Sequence, residues 1–136
     1  MKHSRTLTGF ALFCAALLAL PSLGYSHWAY TGALTKAEIL AKIIGNTLTG
    51  STSSGSTYAE YYTVDGVVHG NDSKTGKYTA KWTVRDDDLM CWAYPPSFNI
   101  GGCVLLVLKD NVVKFQLIDG SVEPAATLLT GNPLGL

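Results

Sequence analysis

Few side chains in this sequence are equipped to do chemistry, and the most suggestive of them is a single carboxyl among phenols. Glu60 lies between Tyr58 and Tyr62 at the same parity, so a strand through them sets one carboxyl and two phenols on one face. Turned inward beside Tyr62, that carboxyl is a ligand anchor. Turned to water, with Ala59 and Tyr61 inside instead, it is a rim carboxylate with no role, and a bulge would mix the two. The rim is the preferred reading. Tyr78, Trp82, Trp92, Tyr94 and Phe115 carry enough flat apolar surface to wall a pocket, although aromatics on the dry face of a small β-domain are more often its core. The candidate ligand-binding set is therefore Glu60, Tyr62, Tyr78, Trp82 and Trp92.

Cys91 and Cys103 have eleven residues between them, Pro95-Pro96 and Gly101-Gly102 included, and lack the close spacing that tunes a redox thiolate. A structural disulfide across a loop of this size contributes about 3 kcal/mol. His27 and His69 would suit copper only if processing made His27 the first residue and the fold brought it to His69, so two unconnected surface histidines are the simpler reading. Asp86, Asp87 and Asp88 are consecutive, without the spaced Asp-x-Asp-x-Asp-Gly pattern of a calcium loop, and read as a solvated turn. No metal or cofactor is expected. The sequence has no nucleophile elbow, phosphate-binding glycine loop or metalloprotease helix, and catalysis is not expected either.

The compartment follows from the first 26 residues. Lys2, His3 and Arg5 precede an apolar run from Leu7 to Leu20, and small residues then allow cleavage after Gly24 or Ser26, the layout of a secretory signal peptide. The run has 14 residues, short of the roughly 20 that span a bilayer, so no membrane span is expected after signal removal. Cys14 leaves with the signal. The remaining 27–136 make one domain, periplasmic or secreted, where pairing of Cys91 with Cys103 is the default. Of the ten bases and ten acids, Lys2 and Arg5 are lost, which leaves eight against ten and argues against nucleic acid as a partner.

The elements that must position these groups are mostly strands. Thr35 with Glu38 forms a capping box, Leu34 and Ile39 a staple, and Ile39, Leu40, Ile43 and Ile44 a stripe, which together predict an amphipathic helix over 35–44 that stops at Gly45. After it the period becomes two. Gly76 to Asp88 is the clearest strand, with Tyr78, Ala80, Trp82 and Val84 alternating with Lys77, Thr79, Lys81 and Thr83. Turn signals about every ten residues predict further strands from Asn46 to Gly50, Tyr58 to Val64, Val67 to Gly70, Leu89 to Tyr94, Cys103 to Leu108, Val112 to Ile118 and Ala125 to Leu129. Ser51 to Ser56 reads as a mobile loop. The expected fold class is mainly β: a small antiparallel meander barrel or half-barrel whose open end the helix covers, with a two-layer sandwich as the competitor.

Asn46 to Gly50, the block Tyr62-Thr63-Val64-Asp65-Gly66, Gly76 to Trp82, Cys91 with Cys103, and Gly131-Asn132-Pro133 carry a resemblance. On these stretches the chain resembles a family of short exported bacterial proteins of unknown function, best represented in alphaproteobacteria. That resemblance implies an exported single domain with its two cysteines paired, and no activity. More loosely, the aromatic-x-x-Asp-Gly hairpin followed by a glycine-led strand ending in Trp82 is similar to small lipocalin-like barrels. The expected function is non-catalytic binding of a small apolar ligand inside the barrel. The alternative is a protein-interaction module, such as an inhibitor of an envelope or host enzyme, that uses the Ser51 to Ser56 loop and the hairpin tips.

Overall fold

The strand Gly76–Val84, β4 of the fold, organises its neighbours as its alternation requires: Ala80 and Trp82 are buried while Lys77, Thr79, Lys81 and Thr83 are exposed. The computed structural model describes residues 32–98 and 101–136. The expected signal peptide, its cleavage positions and His27 lie outside the described residues. In chain order the other strands are β1 (Thr47–Ser51), β2 (Thr57–Tyr62), β3 (Val67–Asp72), β5 (Met90–Ala93), β6 (Gly101–Lys109), β7 (Val112–Gln116) and β8 (Val122–Leu129). Each pairs antiparallel with the next, and β1 pairs with β8, so the sheet closes into a barrel. Neither a half-barrel nor a sandwich describes it. Closure removes every free edge, and β4, with nine residues, is among the longest staves.

The helix α1 spans Lys36–Lys42, shorter at both ends than 35–44 because Thr35 is its N-cap and Ile43 its C-cap. Its capping box is complete, and Gly45 follows at φ +83°, a conformation that favours a residue without Cβ. Ile39 and Ile43 are fully buried. Leu40, placed in the apolar stripe from the sequence, is instead 45 % exposed, because a seven-residue helix over a barrel mouth has contact on one narrow face only. The helix plugs one end of the barrel: the Leu34 amide donates to the Leu106 carbonyl at 2.7 Å and the Gly45 amide to the Tyr62 carbonyl at 2.7 Å.

The helix start is also held from outside. Asp88 Oδ1 accepts from the Lys36 amide at 2.6 Å, and Lys36 Nζ pairs with Asp86 at 2.8 Å, so the aspartate turn docks on the first turn of α1. Asp87 turns away to Arg85. The three carboxylates diverge, as the solvated-turn reading requires, but Asp88 is a cap that the sequence does not reveal. Thr35 saves one backbone amide from being left without an acceptor and Asp88 saves another.

Most strand boundaries differ from the sequence reading by one or two residues, β2 ending at Tyr62 rather than Val64 and β7 at Gln116 rather than Ile118, and three of the differences have a plain cause. β3 continues to Asp72 because the turn at 73–75 is tight, β6 begins at Gly101, and β8 begins at Val122. Pro124 is tolerated inside β8 because the register there shifts between Val113 and Phe115 of the partner strand, a bulge that releases one ladder position. Ser51 to Ser56, expected to be a mobile loop, carries a side-chain-bonded turn in which Thr52 Oγ1 meets Ser56 Oγ at 2.8 Å and accepts from the Ser56 amide at 3.1 Å.

Candidate functional site

Register decides which side chains meet inside the barrel. Leu48, Glu60, Gly70 and Tyr78 are successive cross-strand partners along β1 to β4, so they share one inner layer. Gly70 is the gap in that layer. A Cβ there would lie 2.2 Å from the Tyr78 ring, so the missing side chain lets the ring cross the lumen and deliver its hydroxyl to Glu60. Gly50 does the same more loosely for the hydroxyl end of Tyr58, which a Cβ would meet at 2.8 Å.

Glu60 is only 3 % exposed, so the preferred rim reading gives way to the inward one. Burying a carboxyl costs several kcal/mol unless hydrogen bonds replace its water, and three phenols do so here. Tyr62 Oη donates to Oε2 at 2.5 Å, while Tyr78 Oη and Tyr94 Oη both donate to Oε1 at 2.6 Å. Trp92 Nε1 donates to Tyr62 Oη at 3.1 Å and so joins the same network. Burial first, and the Glu60 charge second, push Tyr58, Tyr62, Tyr78 and Tyr94 above the ordinary tyrosine range. The three that donate to Glu60, Tyr62, Tyr78 and Tyr94, thus keep the proton a donor needs.

Four of the five proposed ligand residues are thus one cluster: Glu60, Tyr62, Tyr78 and Trp92. The fifth, Trp82, is separate. Its Nε1 donates to the Thr63 carbonyl at 2.9 Å, toward the helix-plugged end, and its ring belongs to the packed core. Parity placed Trp82 on the correct face but did not set its depth along the barrel. Two participants stand outside that candidate set. Tyr94, which follows β5, was named among the possible pocket walls but not carried into the set, and Phe98 had no strand to place it. Phe98 sits in a 3-10 turn, Pro96–Phe98, that folds it over the others, with its ring centroid 4.7 Å from Tyr78 and 5.9 Å from Tyr94. The Pro95-Pro96 pair that ends the strand is the one sequence signal that could have found this cover.

The end opposite the helix is therefore an aromatic mouth. Tyr58, Tyr78, Tyr94 and Phe98 are each partly exposed around it, and Glu60 lies beneath. The 52–56 and 73–75 loops form part of its rim and are joined to each other by Lys74 Nζ, which donates to the Ser54 carbonyl at 2.8 Å. Asp72, 8 % exposed, pins the second loop: burial pushes its carboxyl up, but the amides of Lys74 and Thr75, at 2.8 and 3.0 Å, outweigh it and hold the group below the usual range. Fully buried Leu48, Val68, Met90, Leu106 and Val113 and the nearly buried Tyr62 pack inside the barrel, which goes against the expectation of a ligand held in its interior. A depression of about 360 Å³ at Val67, Thr79, Ala80, Lys81, Ala93, Tyr94 and Pro95, and one of about 610 Å³ beside Lys36 and Val84 to Asp87, both open outward.

Cys91 and Cys103 face each other across β5 and β6 and form the disulfide, with Cα atoms 4.0 Å apart. They alternate with Trp92, so the bond lies on the outer wall just behind the cluster. His69 sits at the opposite parity to Gly70, between Tyr61 and Thr79. Among the described residues no group of three or more His, Cys, Asp or Glu side chains could hold a metal ion, and no helix is long and apolar enough to cross a membrane. Comparison of the chain with family models, with curated proteins and with solved structures finds no match to any of them.

Proposed function

We propose that this chain is an exported, non-catalytic binding protein, periplasmic or secreted, that takes a small, largely apolar ligand at the aromatic mouth of its barrel. The observation that supports this reading is the asymmetry of the two ends. One is sealed by α1 with fully buried isoleucines, whereas the other leaves Tyr58, Tyr78, Tyr94 and Phe98 half-covered above a buried carboxyl. A domain with nothing to bind has no need to leave so much aromatic surface at one end and so little at the other. Because the lumen is filled, the ligand takes the place of Phe98 rather than entering an existing void. Trp92, bonded to Tyr62 within the cluster, reports on it.

The neutral dye N-phenyl-1-naphthylamine tests the reading. Saturable binding in the micromolar range is expected, accompanied by a change in tryptophan emission, and Phe98→Ala should tighten it several-fold by opening the mouth. Absence of saturable binding to both the natural protein and Phe98→Ala overturns the proposal.

A second reading, protein interaction, is favoured by one observation. Ile118 and Val122 are 67 % and 61 % exposed on the β7–β8 connection, at the same end as the mouth. If that tip docks on an envelope or host enzyme, Ile118→Ser should abolish retention of the partner and leave dye binding unchanged.

A further inference from the structure

We infer that the ligand of this mouth carries a positive charge, and that its chemical class is a small ammonium compound with an apolar or aromatic body. The inference rests on the binding reading above and adds the charge. It starts from Glu60. The carboxyl is nine-tenths buried, and what surrounds it is three neutral hydroxyls. Hydroxyl dipoles orient toward a carboxylate and satisfy its lone pairs, but they do not cancel its net charge.

No cation of the described chain does so either. The three ion pairs among the described residues, Lys36–Asp86, Lys42–Glu38 and Arg85–Asp87, belong to the helix and to the turn docked on it, at the far end of the barrel. Lys77, Lys81 and Lys114 are exposed on the outer wall, and Lys109 is exposed at the end of β6. At the mouth itself, Lys74 is directed to the Ser54 carbonyl on the rim. Lys77 lies at the same end of β4, directed outward. Against these two bases stand three acids: Glu123 at the start of β8, and Asp72, facing the lumen beside Tyr58, and Asp119 on the neighbouring loop, the last two held below the ordinary carboxylate range by nearby donors. A buried carboxyl with no counter-ion, under a rim with more acid than base, makes a concave surface of negative potential.

The rings complete the selection. Tyr78, Tyr94 and Phe98 lie at mutual tilts of 31° to 55° with centroids 4.7 to 6.0 Å apart, and the Tyr78 and Tyr94 hydroxyls reach Glu60, so three rings in different orientations cluster beside the carboxyl. Aromatic faces attract cations and give nothing to anions. A carboxylate offers about four acceptor positions, and the three phenols use three of them. An ammonium N–H takes the fourth when Phe98 swings out, while the body of the ligand replaces the Phe98 ring. A fatty acid or other carboxylate would meet the same charge as repulsion.

Three probes of one shape decide it: phenethylammonium, 2-phenylethanol and phenylacetate, each titrated calorimetrically into the full protein and into Phe98→Ala at pH 7. The ammonium should bind at least tenfold more tightly than the alcohol, and the carboxylate weakest of the three. Equal affinities, or the reverse order, overturn the charge assignment while leaving the binding reading intact. No binding of any probe to either protein overturns both. In Glu60→Gln the ammonium-to-alcohol ratio should fall to within about twofold of one, and a ratio that persists there removes Glu60 from the argument. Should that variant not fold, as near-ultraviolet circular dichroism will show, Tyr94→Phe gives an independent reading. It frees an acceptor position on Glu60, and the ratio should rise; an unchanged or lower ratio counts against the inference.

Discussion

Glu60 ties the acidity of four tyrosines to the stability of the barrel. Tyr58, Tyr62, Tyr78 and Tyr94 hold their protons more tightly in the folded protein than in the unfolded chain, because burial and the Glu60 charge both disfavour phenolate. A group whose folded pKa is raised contributes stability that is complete below its unfolded pKa and declines once pH passes it. For tyrosine that value is about 10. Stability to urea should therefore be flat between about pH 8 and 9.5 and fall above 10, with Tyr62 and Tyr94 each approaching a slope of about 1.4 kcal/mol per pH unit and the more open Tyr58 and Tyr78 adding less. Phenolate absorbance from the cluster should appear together with unfolding, and early, stepwise ionisation in the folded state would show that the phenols are not held as described. The sequence contained half of this cluster in legible form. Parity set Glu60, Tyr58 and Tyr62 on one face, but it left two choices of which face was inside, and the outward one looked cheaper for a lone carboxyl. Burial became affordable only because phenols from three different strand regions converge on it, and that convergence depends on register, which is not visible in any single stretch.

At the scale of elements, glycines decide how far a tyrosine reaches. Gly70 sits between Glu60 and Tyr78 in the ladder, and the ring occupies the space its side chain would take. Gly70→Ala should cost about 1 to 3 kcal/mol from overpacking, plus about 1 to 3 kcal/mol for the carboxyl left short of a donor, because a Cβ 2.2 Å from an aromatic carbon forces the ring or the backbone to move. Gly50→Ala should cost less, since its clash is with the Tyr58 hydroxyl end, which can swing aside. Urea titration of the two variants checks the order. In a Tyr78→Ala background the Gly70→Ala penalty should largely vanish, and a penalty that remains would mean that Gly70 is needed for its backbone rather than for the ring. The helix was the most legible element, because its capping box and staple are local signals that need no knowledge of the rest of the chain. Its outer cap was not: Asp88 and Lys36 are 52 residues apart, and only the docking of the β4–β5 turn brings them together. The strand cores were equally legible by alternation. Their ends depended on the bulge at Pro124 and on the glycines at 101 and 102, where the usual stop signals fall inside a strand.

For the whole molecule the decisive contact is the seam between the first and last strands. Alternation predicts strands but does not say which edges meet, so closure was an expectation that the β1–β8 register fulfils, from Thr47 opposite Leu129 to Gly50 opposite Ala126. Two stretches that carried the family resemblance, near Asn46 and near Gly131, turn out to be one structure. Asn46 Oδ1 accepts from the Gly131 amide at 2.8 Å, Thr47 Oγ1 donates to the Gly131 carbonyl at 2.7 Å, and Asn46 Nδ2 reaches back to the Lys42 carbonyl at 2.8 Å. One side chain thus joins the end of α1, the start of β1 and the exit from β8. The disulfide is a covalent tie, worth about 3 kcal/mol by loop closure, but it staples neighbours that already pair, so it cannot hold the seam. Asn46→Ala removes two hydrogen bonds at once and should cost about 1 to 3 kcal/mol. Its signature should be spatial rather than merely global: amide hydrogen exchange in β1 and β8 should quicken more than in β3 and β4, whose ladder is remote from the seam. Uniform acceleration across all eight strands would mean instead that the barrel opens only as a unit, and that the seam is no weaker than any other pair of staves.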